Sequence, residues 1–114
     1  MADETAPEPA EGRAQAPATE PAHELAHEPG NRRYTLRVGG QLTAVVDYAI
    51  NGDAISFTRT FTQPGHRGKG FAAEVVKFAV DDVEAAGDYS IVPMCWYVAQ
   101  WFDKHPERSG LLSR

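Results

Sequence analysis

The chain has 114 residues, of which 42% are apolar and 10% are aromatic, so it has room for one small globular domain. Its net charge of −5 is concentrated in residues 1–30, where seven acidic residues and one arginine give −6 and leave +1 for residues 31–114. The near-neutral remainder has no broad basic face for nucleic acid, and no apolar run approaches the length of a membrane span.

The single cysteine, Cys95, excludes an internal disulfide and fits a reducing compartment. The N-terminus has neither the basic start nor the apolar core of a secretory signal peptide. We therefore expect a cytoplasmic protein that enters no membrane. The expected oligomeric state is a monomer or a weak homodimer.

Residues 1–31 are predicted to form a disordered acidic tail, followed by one folded domain at residues 32–114. Alanine, glutamate and five prolines dominate the tail, and its apolar surface is too small to offset the entropy of ordering. Within it, His23 to His27 match the zinc-protease pattern H-E-x-x-H. That chemistry needs both imidazoles on one stable helix, and Pro21 and Pro29 leave about two helical turns. We attribute the match to composition and predict no metal site.

Three strands are predicted to form an antiparallel meander. Residues alternate in polarity over 34–38, 42–50 and 54–62, and the turn signals Gly39-Gly40 and Asn51-Gly52 separate the runs. The predicted inner face of the second strand consists of Leu42, Ala44, Val46, Tyr48 and Ile50. One face of the third strand is predicted to hold Ile55, Phe57, Arg59 and Phe61.

Arg59 interrupts this otherwise apolar row. Its guanidinium either lies at a cleft or pairs with an acid such as Asp47, or it reaches water from the edge of the sheet while its stem packs on apolar neighbours. The sequence leaves both interpretations open.

A glycine-rich turn, residues 63–72 with the sequence QPGHRGKGFA, joins the third strand to a helix. Main-chain N–H groups from Arg67 to Ala72 can converge on one anion where the helix begins, and the helix dipole, Arg67 and Lys69 add positive charge. Three glycines keep the main chain open to a ligand: Gly65, Gly68 and Gly70. The turn matches neither the G-x-G-x-x-G dinucleotide fingerprint nor the P-loop. We predict a pyrophosphate site, with an ordinary loop and helix start as the alternative.

The following helix is amphipathic and is predicted to end at Gly87. Its apolar stripe should form the main core on the sheet: Phe71, Ala72, Val75, Val76, Ala79, Val80 and Val83. Residues 89–94 are predicted as a fourth strand, parallel to the third because a helix joins them in a right-handed crossover. A second helix should run from Trp96 to about His105 and end at Pro106, and Leu111 and Leu112 should pack back on the sheet.

Three segments resemble the small stand-alone domains of the GNAT acetyltransferase superfamily. They are Thr58-Arg59-Thr60 with Arg67-Gly68-Lys69-Gly70-Phe71-Ala72, the run Val92-Pro93-Met94-Cys95-Trp96-Tyr97, and His105-Pro106-Glu107. The resemblance covers about residues 33–112. It implies a minimal α/β fold of the GNAT type, with a three-strand antiparallel meander, a long helix, a fourth parallel strand and a short C-terminal helix, without the usual C-terminal strands.

The resemblance implies acetyl-CoA as cofactor, with its pyrophosphate at the glycine-rich turn and its pantetheine arm along the end of the third strand. The implied binding residues are Phe61, Thr62, His66, Arg67, Gly68, Lys69, Gly70, Phe71 and Ala72. It also implies that the thioester lies near Cys95, where the sheet opens between the third and fourth strands.

Cys95 has three interpretations. It is a nucleophile whose pKa the following helix N-terminus lowers, or a group that polarises the thioester while an amine attacks directly, or a small buried apolar residue.

Arg59 and Tyr97 are the other candidate catalytic residues. Relatives often have histidine at the position of Arg59, and arginine stays protonated and cannot act as a base. His66 is the nearest titratable substitute, with a solvated loop residue as the alternative. Tyr97 is a candidate donor to the leaving thiolate, with core packing as the alternative, and His105 is expected to cap a helix end.

The predicted function is acetyl transfer from acetyl-CoA to an unidentified amine on a small molecule or a protein. The alternatives are a module that binds CoA or acyl-CoA with little turnover, and a small interaction domain that keeps the turn without using it.

Overall fold

The computed structural model describes residues 21–113 of the chain. In chain order, its strands and α-helices are β1 (His23–Glu28), β2 (Arg33–Val38), β3 (Gln41–Asn51), β4 (Ala54–Thr62), α1 (Phe71–Ala86), β5 (Ser90–Val92) and α2 (Trp96–Asp103). Short 3-10 segments are Pro29–Asn31, Pro64–His66 and Pro106–Leu112. No helix within these residues is long and apolar enough to span a membrane.

The strands form one sheet in the order β1-β2-β3-β4-β5. Neighbours are antiparallel up to β4, and β5 is parallel to β4 as the helical crossover requires. The predicted α/β architecture is therefore confirmed, with an additional edge strand, β1.

The predicted start of the folded domain at residue 32 is wrong, because β1 pairs with β2 from His23 opposite Val38 to Glu28 opposite Arg33. The segment gains contacts that its composition does not reveal. Leu25 packs against the core, and the His27 ring stacks on the Tyr34 ring with centroids 4.2 Å apart. The predicted disorder of residues 1–20 lies outside the described part of the chain.

The H-E-x-x-H match also lies on β1. A strand places residues four apart about 13 Å from each other, whereas zinc binding needs both imidazoles on adjacent helical turns. His23 Nδ1 instead lies 3.0 Å from the carboxylate of Glu74, and His27 Nε2 lies 2.6 Å from the Tyr48 hydroxyl. Residues 21–113 contain no group of three or more His, Cys, Asp or Glu that could hold a metal ion.

Two β-bulges shift the predicted strand faces. Phe57 pairs with Tyr48 and Arg59 with Asp47, so Thr58 is unpaired, and Thr60 takes the core-side position after Phe57. The prediction that Arg59 and Phe61 share a face with Phe57 is therefore wrong. A second bulge at Thr43 moves Leu42 away from the core side, because Leu36 pairs with Ala44 and Arg37 with Leu42.

The core lies between one face of the sheet and the two helices. The stripe of α1 is buried at Val75, Val76, Ala79, Val80 and Val83. Trp101 and Phe102 of α2 join the same cluster, as does Leu111, which packs back as expected.

Phe57 lies in the middle of this core, fully buried between the rings of Tyr34 and Tyr48. We expect Phe57→Ala to lower the free energy of unfolding by about 3–5 kcal/mol, because it removes apolar contacts and leaves a cavity. Chemical denaturation followed by tryptophan fluorescence measures this change. Val92→Ala, at a residue that is 39% exposed, should stay within about 0.5 kcal/mol of the wild type. Equal losses in the two variants would contradict this placement of the core.

Candidate functional site

A groove runs from the end of β4 to the start of α2 and over the glycine-rich turn. It consists of two adjoining cavities of about 380 Å³ and 230 Å³ that share lining residues. The shared residues are Thr62, Arg67, Ala72 and Tyr97. We call it the glycine-turn groove.

Main-chain donors are unpaired along one wall of this groove. The N–H groups from Gly68 to Ala73 have no hydrogen-bond partner within the described residues, and the first bond of α1 runs from the N–H of Glu74 to the carbonyl of Gly70, at 3.1 Å. Gly68 and Gly70 have φ values of 81° and 82°, which glycine adopts readily. A Cβ atom at either position would meet no atom within 4 Å, so the space beside the turn is open.

Positive charge lies beside these donors. The Nε of Arg67 donates to the carbonyl of Thr62 at 3.3 Å, which holds its guanidinium at the groove. Neither Arg67 nor Lys69 forms an ion pair in residues 21–113. His66 also lines this end, with its ring 5.8 Å from that of Phe71. Unpaired N–H groups at a helix start, together with two free cations, are the chemistry that binds a phosphate or diphosphate.

The groove opens because β5 separates from β4. Three pairs join the strands, ending at Ser56 opposite Val92, and Pro93 has no N–H with which to continue the ladder. One further bond, from the Cys95 N–H to the Phe57 carbonyl at 2.9 Å, closes the junction. Beyond Phe57, no described strand lies beside this edge of β4.

Cys95 lies at this junction, at the N-cap of α2. Its Sγ lies 3.4 Å from the Thr60 hydroxyl oxygen. Burial raises the pKa of the thiol, but the Thr60 hydroxyl and the nearby N–H groups of Val98 and Tyr97 outweigh burial and lower the pKa below its ordinary value. The N–H groups of Val98 and Tyr97 are close enough to stabilise the thiolate, although the Cys95 side chain forms no N-cap hydrogen bond with α2.

Tyr97 lines both parts of the groove. Burial raises the pKa of its hydroxyl, so the group keeps its proton at neutral pH. It can therefore donate a proton to a leaving anion in the groove.

Arg59 does not line the groove. Its guanidinium pairs with Asp47 at 3.0 Å and lies 5.3 Å from the centroid of the Phe61 ring. The pairing with Asp47 that the sequence suggested is present, and the side chain is also 60% exposed. Because of the bulge at Thr58, Thr60 occupies the position on the Phe57 face that the strand alternation assigned to Arg59, and its hydroxyl lies beside Cys95.

The remaining predicted site residues are spread over the groove. Phe61 lies in the part next to β4, Phe71 lies in the part next to the turn, and Thr62 and Ala72 line both parts. His105 lies apart, as the predicted helix cap, with Nδ1 2.7 Å from the Trp101 carbonyl. Sequence reasoning missed Thr60 as the partner of Cys95 and Trp96 as a groove residue, because no pattern in β4 reveals the bulge and Trp96 reads as an ordinary helix start.

A sequence model of the GCN5-related N-acetyl-transferase family matches residues 33–111, more than half of the chain. The chain therefore belongs to this family of N-acetyltransferases. Among solved structures it is similar to the ribosomal-protein-S18-alanine N-acetyltransferase from Escherichia coli, at 15% identity and a TM-score of 0.49, over 52% of this chain and 38% of that one. The chain thus spans well under half of that enzyme. A search of curated protein sequences gave no match.

The lowered pKa of Cys95 predicts a reactive thiol. Its alkylation by iodoacetamide at pH 7 should exceed that of the same cysteine in the urea-unfolded chain, because a larger fraction is thiolate. Thr60→Val should raise the pKa and slow the reaction severalfold, since the variant lacks the hydroxyl that stabilises the thiolate. Thr58→Val, in the same strand but exposed, serves as the control. Equal rates in Thr60→Val and wild type over pH 6–9 would contradict the role of Thr60.

Proposed function

We propose that the protein transfers the acetyl group of acetyl-CoA to an amine, with CoA bound in the glycine-turn groove. One observation supports this most strongly. A turn with unpaired N–H groups lines one end of the groove, and Thr60, which lines the other end, contacts the polarised thiol of Cys95 at 3.4 Å. A diphosphate and a thioester are separated in this way in CoA.

The residues of the groove fit CoA. The donors from Gly68 to Ala73, with Arg67 and Lys69, would hold the diphosphate. The open edge of β4 beyond Phe57 would pair with the amide groups of the pantetheine arm in the manner of an added strand. Family membership supports the same cofactor, since the family transfers acetyl groups to nitrogen.

Acetyl-CoA, when bound, supplies the acetyl group as an activated thioester. In this proposal Tyr97 holds a proton at its hydroxyl and donates it to the sulfur that leaves. Cys95 either accepts the acetyl group on Sγ or polarises the site while the amine attacks directly. Both routes give the acetylated amine and free CoA, and they differ in one intermediate, an acetylated Cys95 that passes its acetyl group to the amine.

Gly70→Ala should weaken CoA binding by at least roughly tenfold. Alanine at a φ of 82° costs about 1–2 kcal/mol and turns an N–H group away from the anion. Gly87→Ala is a matched control at the other end of α1, with a φ of 78° and equally open space around the added Cβ. Both variants should lose similar thermal stability, and calorimetric titration with CoA should separate them. Equal affinities in the two variants would show that the diphosphate does not bind at this turn.

Turnover tests the enzyme itself. Release of free thiol from acetyl-CoA should depend on an added amine, and Tyr97→Phe should lower kcat by about 10²-fold while changing KM for acetyl-CoA little, because its hydroxyl acts on the leaving group. Tyr89→Phe, at a tyrosine outside the groove, is the control. Mass spectrometry of the protein after incubation with acetyl-CoA alone shows whether Cys95 is acetylated.

Two results would favour the other functions. If the protein binds CoA but releases no thiol with any amine of a broad panel, the protein is a CoA-binding module and not an acetyltransferase. A melting temperature unchanged at saturating CoA would leave an interaction domain, because a ligand at a hundred times its Kd stabilises by about 2.7 kcal/mol.

A further inference from the structure

A second cavity of about 370 Å³ lies between the C-terminal half of α1 and the sheet. It shares no lining residue with the glycine-turn groove. Ala72 lines the groove and Asp82 lines this cavity, and the ten helical steps between these two residues correspond to about 15 Å along α1. The volume of the cavity lies in the range of small-molecule sites, and acetyl transfer in the groove does not involve it.

Asp82 provides a fixed carboxylate in the wall of this cavity. Its Oδ2 accepts a 2.7 Å hydrogen bond from the Tyr34 hydroxyl and lies 3.6 Å from Nδ1 of His27. The Tyr34 side chain is almost fully buried, so the carboxylate is held in place from below. Oδ1 has no hydrogen-bond partner in the described residues and is free to accept one from a ligand.

Arg32 provides a cation in the same lining, and it pairs with no carboxylate among the residues that the structure describes. Of the six arginines in residues 21–113, four pair with a carboxylate: Arg33, Arg37, Arg59 and Arg108. The other two are Arg67, at the glycine-turn groove, and Arg32. The backbone of Arg32 is held in the left-handed region, at a φ of 52°, by its N–H bond to the Pro29 carbonyl and by the Tyr48 N–H bond to its own carbonyl.

The Tyr48 hydroxyl belongs to the same lining and lies 2.6 Å from Nε2 of His27. Burial raises the pKa of this hydroxyl, while the charge of Arg32 lowers it and the charges of Tyr89 and Asp82 raise it. The lining of this one cavity thus contains both an anionic group, Asp82, and a cationic group, Arg32. A ligand that bound there would face both charges at once.

The rest of the lining is apolar. Ile55 and Val83 are buried beneath it, and Ile50 is 36% exposed beside it, among the most exposed large apolar side chains of the described residues. Covering these surfaces with an apolar group would remove them from water at about 25 cal/mol per Å².

We propose that this second cavity binds a free α-amino acid with an apolar side chain, its ammonium group on Asp82 and its carboxylate on Arg32. Charge complementarity selects this class. A simple amine would leave Arg32 without a partner, and a simple carboxylic acid would leave Asp82 without one. Glycine would satisfy both charges but leave the apolar lining uncovered.

The probe is L-phenylalanine, added to the full-length ¹⁵N-labelled protein and followed by amide chemical shifts. Shifts should map to residues around Arg32, Tyr48 and Asp82 and not to the glycine turn. 2-Phenylethylamine, which lacks the carboxylate, and 3-phenylpropanoate, which lacks the ammonium group, should each bind at least about tenfold more weakly, since a hydrogen bond to a charged group contributes more than one decade of affinity. Glycine should give no shifts at the same concentration.

Two variants should each weaken the binding of only those ligands that bear the group recognised by the substituted residue. A general loss of structure would weaken the binding of all ligands. Asp82→Asn keeps an acceptor for the Tyr34 hydroxyl and should weaken phenylalanine about tenfold without weakening 3-phenylpropanoate. Arg32→Gln should weaken phenylalanine similarly without weakening 2-phenylethylamine. Arg32 is exposed, so this variant keeps the test available if Asp82→Asn does not fold.

Three results would overturn the proposal. They are the absence of shifts around the cavity at millimolar phenylalanine, equal affinity for phenylalanine and either analogue, and shifts confined to the glycine-turn groove. Because no arm of the test uses CoA, none of these results bears on acetyl transfer.

Discussion

Burial of one face of α1 against the sheet fixes the positions of both ends of this helix, and both ends line cavities. Val75, Val76 and Val80 are fully buried, and each such side chain contributes about 1.5–3 kcal/mol. This packing holds the unpaired N–H groups of the first turn at the glycine-turn groove and Asp82 at the second cavity. A helix anchored only by its ends could not present ordered donors to an anion, since ordering them would then cost binding energy. The rigid packing of the central turns of α1 therefore fixes the groups at its two ends in positions where they can bind a ligand.

The glycine-turn groove also requires that the pairing of β4 with β5 end at one defined point. Pro93 stops the ladder because it has no N–H, the bond from Cys95 to Phe57 closes the last contact, and the bulge at Thr58 turns β4 so that Thr60 meets the sulfur. Each feature alone is ordinary. Together they leave the edge of β4 beyond Phe57 unpaired by any strand in residues 21–113, beside a thiol whose pKa is lowered by its neighbours. The interruption of the sheet and the polarised thiol therefore have the same structural origin.

The sequence predicted the features that depend on periodicity and on glycine. The meander, α1, its end at Gly87 and the open glycine turn follow from local patterns that the tertiary structure keeps. It failed where one residue changes the register or where a distant contact orders a polar segment. The bulge at Thr58 leaves the alternation of the sequence intact while reversing the faces of Arg59 and Phe61, and β1 is ordered by Tyr34 and Tyr48, which its own composition cannot show. A single sequence contains no signal for either.

The geometry of the groove also bears on the amine that the proposed reaction would use. Arg59 is paired with Asp47 outside the groove, and no carboxylate lines the groove within the described residues, while His66 lines only the part next to the glycine-rich turn. In the proposed reaction, no described side chain other than Cys95 would therefore be placed to take a proton beside the thioester. The amine would then have to arrive already neutral. An α-amino group, with an ordinary pKa of about 7.7–8.0, has a neutral fraction at pH 7 more than a hundredfold larger than a lysine side chain at about 10.4. In the proposed reaction, Tyr97 would donate a proton to the leaving sulfur and no base in the groove would deprotonate the amine. Weakly basic amines are therefore favoured as acceptors.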